Sequence, residues 1–290
     1  MTLASILLVV LAALIHATWN LLAKRAAAVG SVFVFYSSVI GAIVYAPWAL
    51  YVVANGDIGW SLLGVGAIIL SALIHLGYSL SLQRGYQVAD LSVVYPIARG
   101  TGPLLSTFGA FLLLGEAPSA QGLIGLVLVV AGIGLIATKG DLRAFRQPNG
   151  KAGVGWGTAT GGLIASYTVV DAYAVKALGI APVVLDWISS VLRILFLMPV
   201  VLTNPQRSLE AMRGCWWVAI GVGVLSPLSY ILVLMALTEG APLSIVAPMR
   251  EMSMMIGTLM GMVILREAVG PWRILGCAVL IGGVTLLSSS

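Results

Sequence analysis

The sequence predicts an all-α integral membrane protein: ten transmembrane helices built from two inverted five-helix repeats. Composition gives the first reason. Of the 290 residues, 60% are hydrophobic and 9% are charged, and mean hydropathy is +1.07. A soluble domain carries about 25% charged residues, so this chain cannot clothe a water-facing surface and lipid must be its solvent. The second reason is length. A helix needs about 20 apolar residues to cross a bilayer, and such runs recur along the chain. The third is an internal repeat, in which LSVVYPIAR at 91–99 returns as LSIVAPMR at 243–250.

Taken in order, the apolar runs place helices at 2–22, 31–54, 60–82, 89–113, 119–138, 153–174, 180–202, 214–236, 242–264 and 269–288. LASILLVVLAALI (3–15) and GLIGLVLVVAGIGLIA (122–137) lack the alternation of a membrane-barrel strand. The first run has no charged n-region and no small-residue cleavage site, so it reads as a retained helix rather than a signal peptide. Connections are short, and the longest, 139–152, leaves no room for a soluble domain. Gly122, Gly125, Gly132, Gly276, Gly282 and Gly283 sit inside apolar runs, where small residues let helices approach closely. Cys215 and Cys277 have no metal-binding spacing and read as apolar fillers.

The repeat runs beyond its opening match. Tyr78 aligns with Tyr230, Gly85 with Leu237, Leu91 with Leu243 and Pro96 with Pro248. One residue then drops out, and Arg99 aligns with Arg250 and Glu116 with Glu267. LIHATWN (14–20) faces the weaker LIASYTVVD (163–171). The chain therefore divides into residues 1–140 and 151–290. Five spans is an odd number, so the second copy enters the membrane from the opposite side. Inverted repeats of this kind build secondary transporters, with the site at the repeat interface near mid-membrane.

Charge predicts the orientation. Lys24, Arg25, Arg84, Lys139, Arg143, Arg146, Lys151, Arg207, Arg213, Arg266 and Arg273 fall on odd-numbered connections and their flanks, whereas Lys176 alone falls on the even side. The positive-inside rule puts the odd connections in the cytoplasm and both termini in the periplasm. The net charge of +5 is then a matter of topology, and no nucleic-acid partner is expected.

Ionisable residues inside spans are candidates for function. Arg99 follows Tyr95 by four residues, on one helix face. Pro96 lies between them and frees a backbone carbonyl. A guanidinium there can grip a carboxylate with two hydrogen bonds. Arg250 is its repeat mate. Glu251 is its neighbour, but adjacent side chains on a helix diverge, so no pair is expected between them. Inversion is expected to give the two arginines separate duties, Arg99 in the cavity with Tyr95 and Arg250 closing the opposite end. His16, Trp19 and Asn20 form a polar-aromatic face on the first span, expected to point inward because hydrogen-bonding groups facing lipid are costly. His75, Tyr78 and Ser79 repeat the spacing on the third span. Tyr167 shares a face with Asp171, and Trp19, Tyr78, Tyr95, Tyr167 and Tyr230 together would wall a cavity suited to an apolar side chain or a cation. Asp186 and Arg193 lie two turns apart on the seventh span, and Glu116 and Glu267 read as structural groups at span ends. Gly85, Pro96, Gly240 and Pro248 mark the third–fourth and eighth–ninth hairpins as the parts that rock.

The five-plus-five repeat, HATWN, the P-x-x-R segment and the L-x-x-G-E end of the fourth span resemble the drug/metabolite transporter superfamily, specifically its EamA-type ten-helix exporters. The resemblance covers essentially the whole chain. It implies a bacterial inner-membrane exporter, and the nearest likeness is to exporters of amino acids, including aromatic ones. The alternative is a multidrug or quaternary-cation exporter. No H-E-x-x-H, G-x-S-x-G or Walker loop is present, so neither an enzyme nor an ATP-driven pump is expected. No cofactor or metal is expected; the partners are a small-molecule substrate and the lipid bilayer, and the chain is expected to act as a monomer.

Overall fold

The structure, a computed structural model, describes residues 1–26, 29–56, 60–89, 91–264 and 270–289, and among these there is no strand. The helices are α1 (Leu3–Lys24), α2 (Ser31–Asn55), α3 (Leu62–Val88), α4 (Leu91–Leu113), α5 (Ala120–Thr138), α6 (Gly150–Lys176), α7 (Pro182–Leu202), α8 (Pro205–Ala211), α9 (Trp216–Thr238), α10 (Leu243–Arg250), α11 (Met252–Ile264) and α12 (Pro271–Ser288). Local chemistry sets several starts. Thr2, Ser61 and Ser119 accept the orphan N–H groups of Ser5, Gly64 and Gly122. Pro182 and Pro271 occupy first turns, where their missing N–H costs nothing.

Among the described residues, α1, α2, α3, α5, α7, α9 and α12 are long and apolar enough to cross a membrane. The other three predicted spans are the more polar ones, α4, α6 and the ninth. The ninth is not continuous but breaks at Glu251 into α10 and α11. Pro248 cannot donate to Ser244 O, which receives Thr107 Oγ1 of α4 at 3.4 Å instead. Tight i to i+3 bonds then turn the chain, Glu251 N to Pro248 O at 3.1 Å and Met254 N to Glu251 O at 2.9 Å. The first copy stays helical through Pro96 and Pro103. The short α8, in the connection after α7, was not expected from the apolar pattern.

Packing repeats the two-fold relation of the sequence. If α1 corresponds to α6, α2 to α7, α3 to α9 and α5 to α12, then α3 against α6 is the mate of α9 against α1, and both are extensive contacts. Helices α2 and α7 pack on each other, as do α5 and α12. The α5–α12 pair is antiparallel. A methyl at Gly125 would stand 2.9 Å from Gly283 O, and one at Gly132 would stand 2.8 Å from Gly276 O. Mates that run antiparallel are what inversion requires, since a two-fold axis along the membrane normal would leave them parallel. Small residues also set the seam between α4 and α6. Gly153, Gly157 and Gly161 form a stripe at i, i+4, i+8, and a methyl at Gly157 would sit 2.9 Å from Val94 O. At Gly161 it would overlap Thr101 Oγ1.

The connections after α4, α6 and α9 meet at one end, as even-numbered connections must. Glu116 caps α10, accepting Leu243 N at 2.6 Å and Ser244 N at 2.9 Å. Lys176 Nζ reaches Glu116 Oε1 and Ala241 O, each at 3.2 Å. Burial pushes the Glu116 carboxyl up, but the hydrogen bonds from Ser244 and Leu243 and the Lys176 charge prevail and hold it below its ordinary value. Glu116 is structural, as the sequence suggested. Its repeat mate Glu267, with Arg266, lies outside the described residues.

Candidate functional site

The close α4–α6 seam and the α10–α11 break bring three charges together. Arg99 Nε of α4 lies 3.0 Å from Glu251 Oε2, in ion-pair contact but without hydrogen-bond alignment. Arg250 Nε lies 3.8 Å from Glu251 Oε1. Arg99 Nη2 also donates to Ser253 Oγ at 3.2 Å, and its Cζ stands 5.8 Å from the Tyr95 ring centroid. Arg250 and Glu251 are buried, while the Arg99 side chain keeps 13% exposure. Two expectations are corrected here. Arg250 and Glu251 do meet, because the chain turns at Glu251 and neighbouring side chains no longer diverge by a helical step. The two arginines also do not serve opposite ends. Each lies about two turns inside a span entered from the opposite face, so inversion carries both to mid-membrane and onto one carboxylate.

Beside this cluster stands an aromatic group. His75 of α3 stacks on Tyr167 of α6 with ring centroids 3.9 Å apart. Tyr78 and Tyr230 pack edge-on against Tyr167 at 5.8 and 6.2 Å, and Tyr230 packs edge-on against His75 at 5.7 Å. His75 Nδ1 lies 2.9 Å from Ser71 O. Tyr230 Oη donates to Asp171 Oδ2. Tyr167 and Asp171 are buried, while His75, Tyr78, Tyr95 and Tyr230 remain partly exposed.

On α1, Trp19 Nε1 donates to Ser229 Oγ of α9 at 3.2 Å, and His16 packs edge-on against Trp19 at 4.8 Å. Asn20 does not join them: it is exposed, and its amide donates to His16 O of its own helix at 2.7 Å. The predicted α1 face therefore splits, with His16 and Trp19 inside and Asn20 outside. Asp186 is buried on α7, while Arg193 donates to Ser190 Oγ at 2.7 Å on its own helix. Sequence reasoning missed Ser253, Ser229 and Ser71, since nothing separates a binding serine from a packing one in an apolar run. It also kept Asp171 out of the site, although an acid within a span is itself a signal.

Two recesses lie elsewhere. One of about 720 Å³ is almost wholly apolar and opens sideways among Leu63, Gly66, Leu70, Leu113, Val169 and Tyr173. Another of about 260 Å³ lies among the connections near Tyr86, Gln87, Gln147 and Asn149.

Comparison with known proteins places this geometry. The EamA-like transporter family matches residues 3–138 and again 151–289. The multidrug resistance protein EbrB of Bacillus atrophaeus is 40% identical over 74 residues, 26% of this chain and 58% of that protein. EbrB of Bacillus subtilis (strain 168) is 39% identical over the same shares. The chain thus spans somewhat over half the length of these curated relatives. A solved crystal structure with 16% identity shares the fold, at TM-score 0.77 over 98% of both chains. Matched once in each half and folded as an inverted pair, the chain belongs to the EamA-like transporter family and is a multi-pass membrane transporter.

Proposed function

We propose that the protein exports small amphipathic metabolites across a bacterial inner membrane by alternating access, with amino acids as principal substrates. Both termini would face the periplasm. The observation that carries this reading is the buried cluster in which two guanidiniums share the single carboxylate of Glu251, beside a wall of tyrosines. Two positive charges against one negative leave a formal +1 at mid-membrane. An uncompensated buried charge is costly, and a substrate carboxylate would relieve it. Arg99, with Tyr95 beside it, is the clamp, and Arg250 supports it. Trp19, His16, His75, Tyr78, Tyr167 and Tyr230 receive the side chain. The chain works as a monomer, since both halves of the site come from one polypeptide.

In this reading the Glu116–Lys176 tie holds the periplasmic ends of α4, α6 and α10 together. Its release would let the α3–α4 and α9–α10–α11 hairpins rock. Spin-label distances between α4 and α11 should then shift on substrate addition.

A second reading, export of cationic drugs, is favoured by the names of the Bacillus relatives. Purified protein in liposomes separates the two. Uptake of the twenty amino acids is compared with that of cationic dyes, with counterflow as the sign of a carrier. Saturable amino-acid counterflow supports the first reading. Saturable dye transport with no amino-acid transport replaces it by the second.

A further inference from the structure

The Arg99–Glu251–Arg250 cluster has an electrostatic opposite on the other side of the aromatic wall. Asp171 of α6 is 1% exposed. Its Oδ2 accepts Tyr230 Oη of α9, and no aligned hydrogen bond reaches Oδ1. Ser71 of α3 and Asp186 and Arg193 of α7 lie within electrostatic range of it. His75 of α3 stands across the Tyr230 ring, and Tyr167 lies one turn back on α6. Two carboxylates against one guanidinium leave this pole at a formal −1, the mirror of the +1 at the arginines. Tyr230 links the poles. Its hydroxyl is on Asp171, and it also lies within electrostatic range of Arg250.

We propose that Asp171 is the cation-binding pole of the substrate site, taking the ammonium of a zwitterionic substrate at its unpartnered Oδ1 while Arg99 takes the carboxylate. This rests on the amino-acid reading above and sharpens it. The two poles together read the charge pattern of an α-amino acid, and the tyrosines and His75 between them read an aromatic side chain. An unmade hydrogen bond on a buried charged oxygen is the kind of vacancy a ligand donor fills.

The test uses full-length protein in proteoliposomes with three probes: phenylalanine, phenethylamine, which lacks the carboxylate, and 3-phenylpropanoate, which lacks the ammonium. Asp171→Asn keeps the shape and removes the charge. It should weaken apparent affinity for phenylalanine and phenethylamine about 10- to 100-fold, the worth of a charge-assisted hydrogen bond, and leave 3-phenylpropanoate unchanged. Unchanged affinity for all three, or an equal loss for all three, overturns the assignment. If Asp171→Asn protein does not assemble, Tyr230→Phe carries the test, with a smaller loss confined to the two ammonium probes. Should wild-type protein carry phenethylamine but not phenylalanine, the amino-acid reading fails while the Asp171 assignment is still judged on the amine. Wild-type protein that carries neither overturns both.

Discussion

Glu251 is the residue on which the most charge depends. It is 1% exposed and touches two guanidiniums, so replacing it leaves two buried cations facing each other. Removing one partner of a buried ion pair typically costs about 3–5 kcal/mol. Glu251→Gln should therefore lower thermal stability in detergent sharply. Adding Arg99→Ala to that variant should recover part of the loss, because one stranded cation goes too. A double-mutant cycle followed by thermal unfolding measures the coupling, and strictly additive losses would dissolve the cluster as an energetic unit. Arg99→Ala alone should weaken amino-acid affinity about 10- to 100-fold. Arg99→Lys should restore only part of it, since an ammonium cannot make the planar two-point contact.

Among the elements, the α4–α6 seam and the α10 cap make opposite kinds of demand. At Gly161 a methyl would overlap Thr101 Oγ1, whereas at Gly162, next on the same helix, it would meet nothing within 4 Å. Gly161→Ala should destabilise by about 1–3 kcal/mol, the cost of overpacking. Gly162→Ala should be neutral or slightly stabilising because it removes backbone freedom from the unfolded chain. Equal melting temperatures for the two would deny that the seam is tight. The α10 cap is a polar contact and carries a pH signature. Glu116 has its carboxyl held below the ordinary value in the folded protein, so its stabilisation is complete above the unfolded carboxyl value. It is lost as pH falls through the lower folded value. Glu116→Gln should cost about 0.5–2 kcal/mol near neutral pH, as lost caps do. The difference from wild type should close on acidification, which melting curves across that range would show.

At the scale of the whole molecule, inversion and orientation are separate matters. Inversion shows in the antiparallel packing of α5 on α12. Orientation is argued from charge alone. Lys176, the single even-side cation, is paired with Glu116, so the even end shows little net positive charge. A periplasm-active reporter fused at the C-terminus should be active, and one inserted near Asn149 should be silent. The reverse pattern would turn the protein over in the membrane and leave its fold untouched.

The sequence by itself determined whatever depends on composition and period. Sixty per cent apolar residues with few charges dictate lipid as solvent, and the LSVVYPIAR/LSIVAPMR pair dictates two copies of one unit. An odd span count in each unit then makes the copies inverted. Those inferences need no knowledge of which helix touches which. The tertiary structure decided the rest, because contact between distant segments leaves no local mark. Arg250 and Glu251 look divergent on an ideal helix and meet only because Pro248 and the turn at Glu251 break the ninth span. His16, Trp19 and Asn20 look like one face, yet α9 offers Ser229 to Trp19 while Asn20 stays outside. The pairing of Asp171 with Tyr230 joins α6 to α9 across 59 residues. The period along a helix tells which residues share its face. Which neighbour that face meets, and so which buried charges share a partner, is settled only when the helices pack.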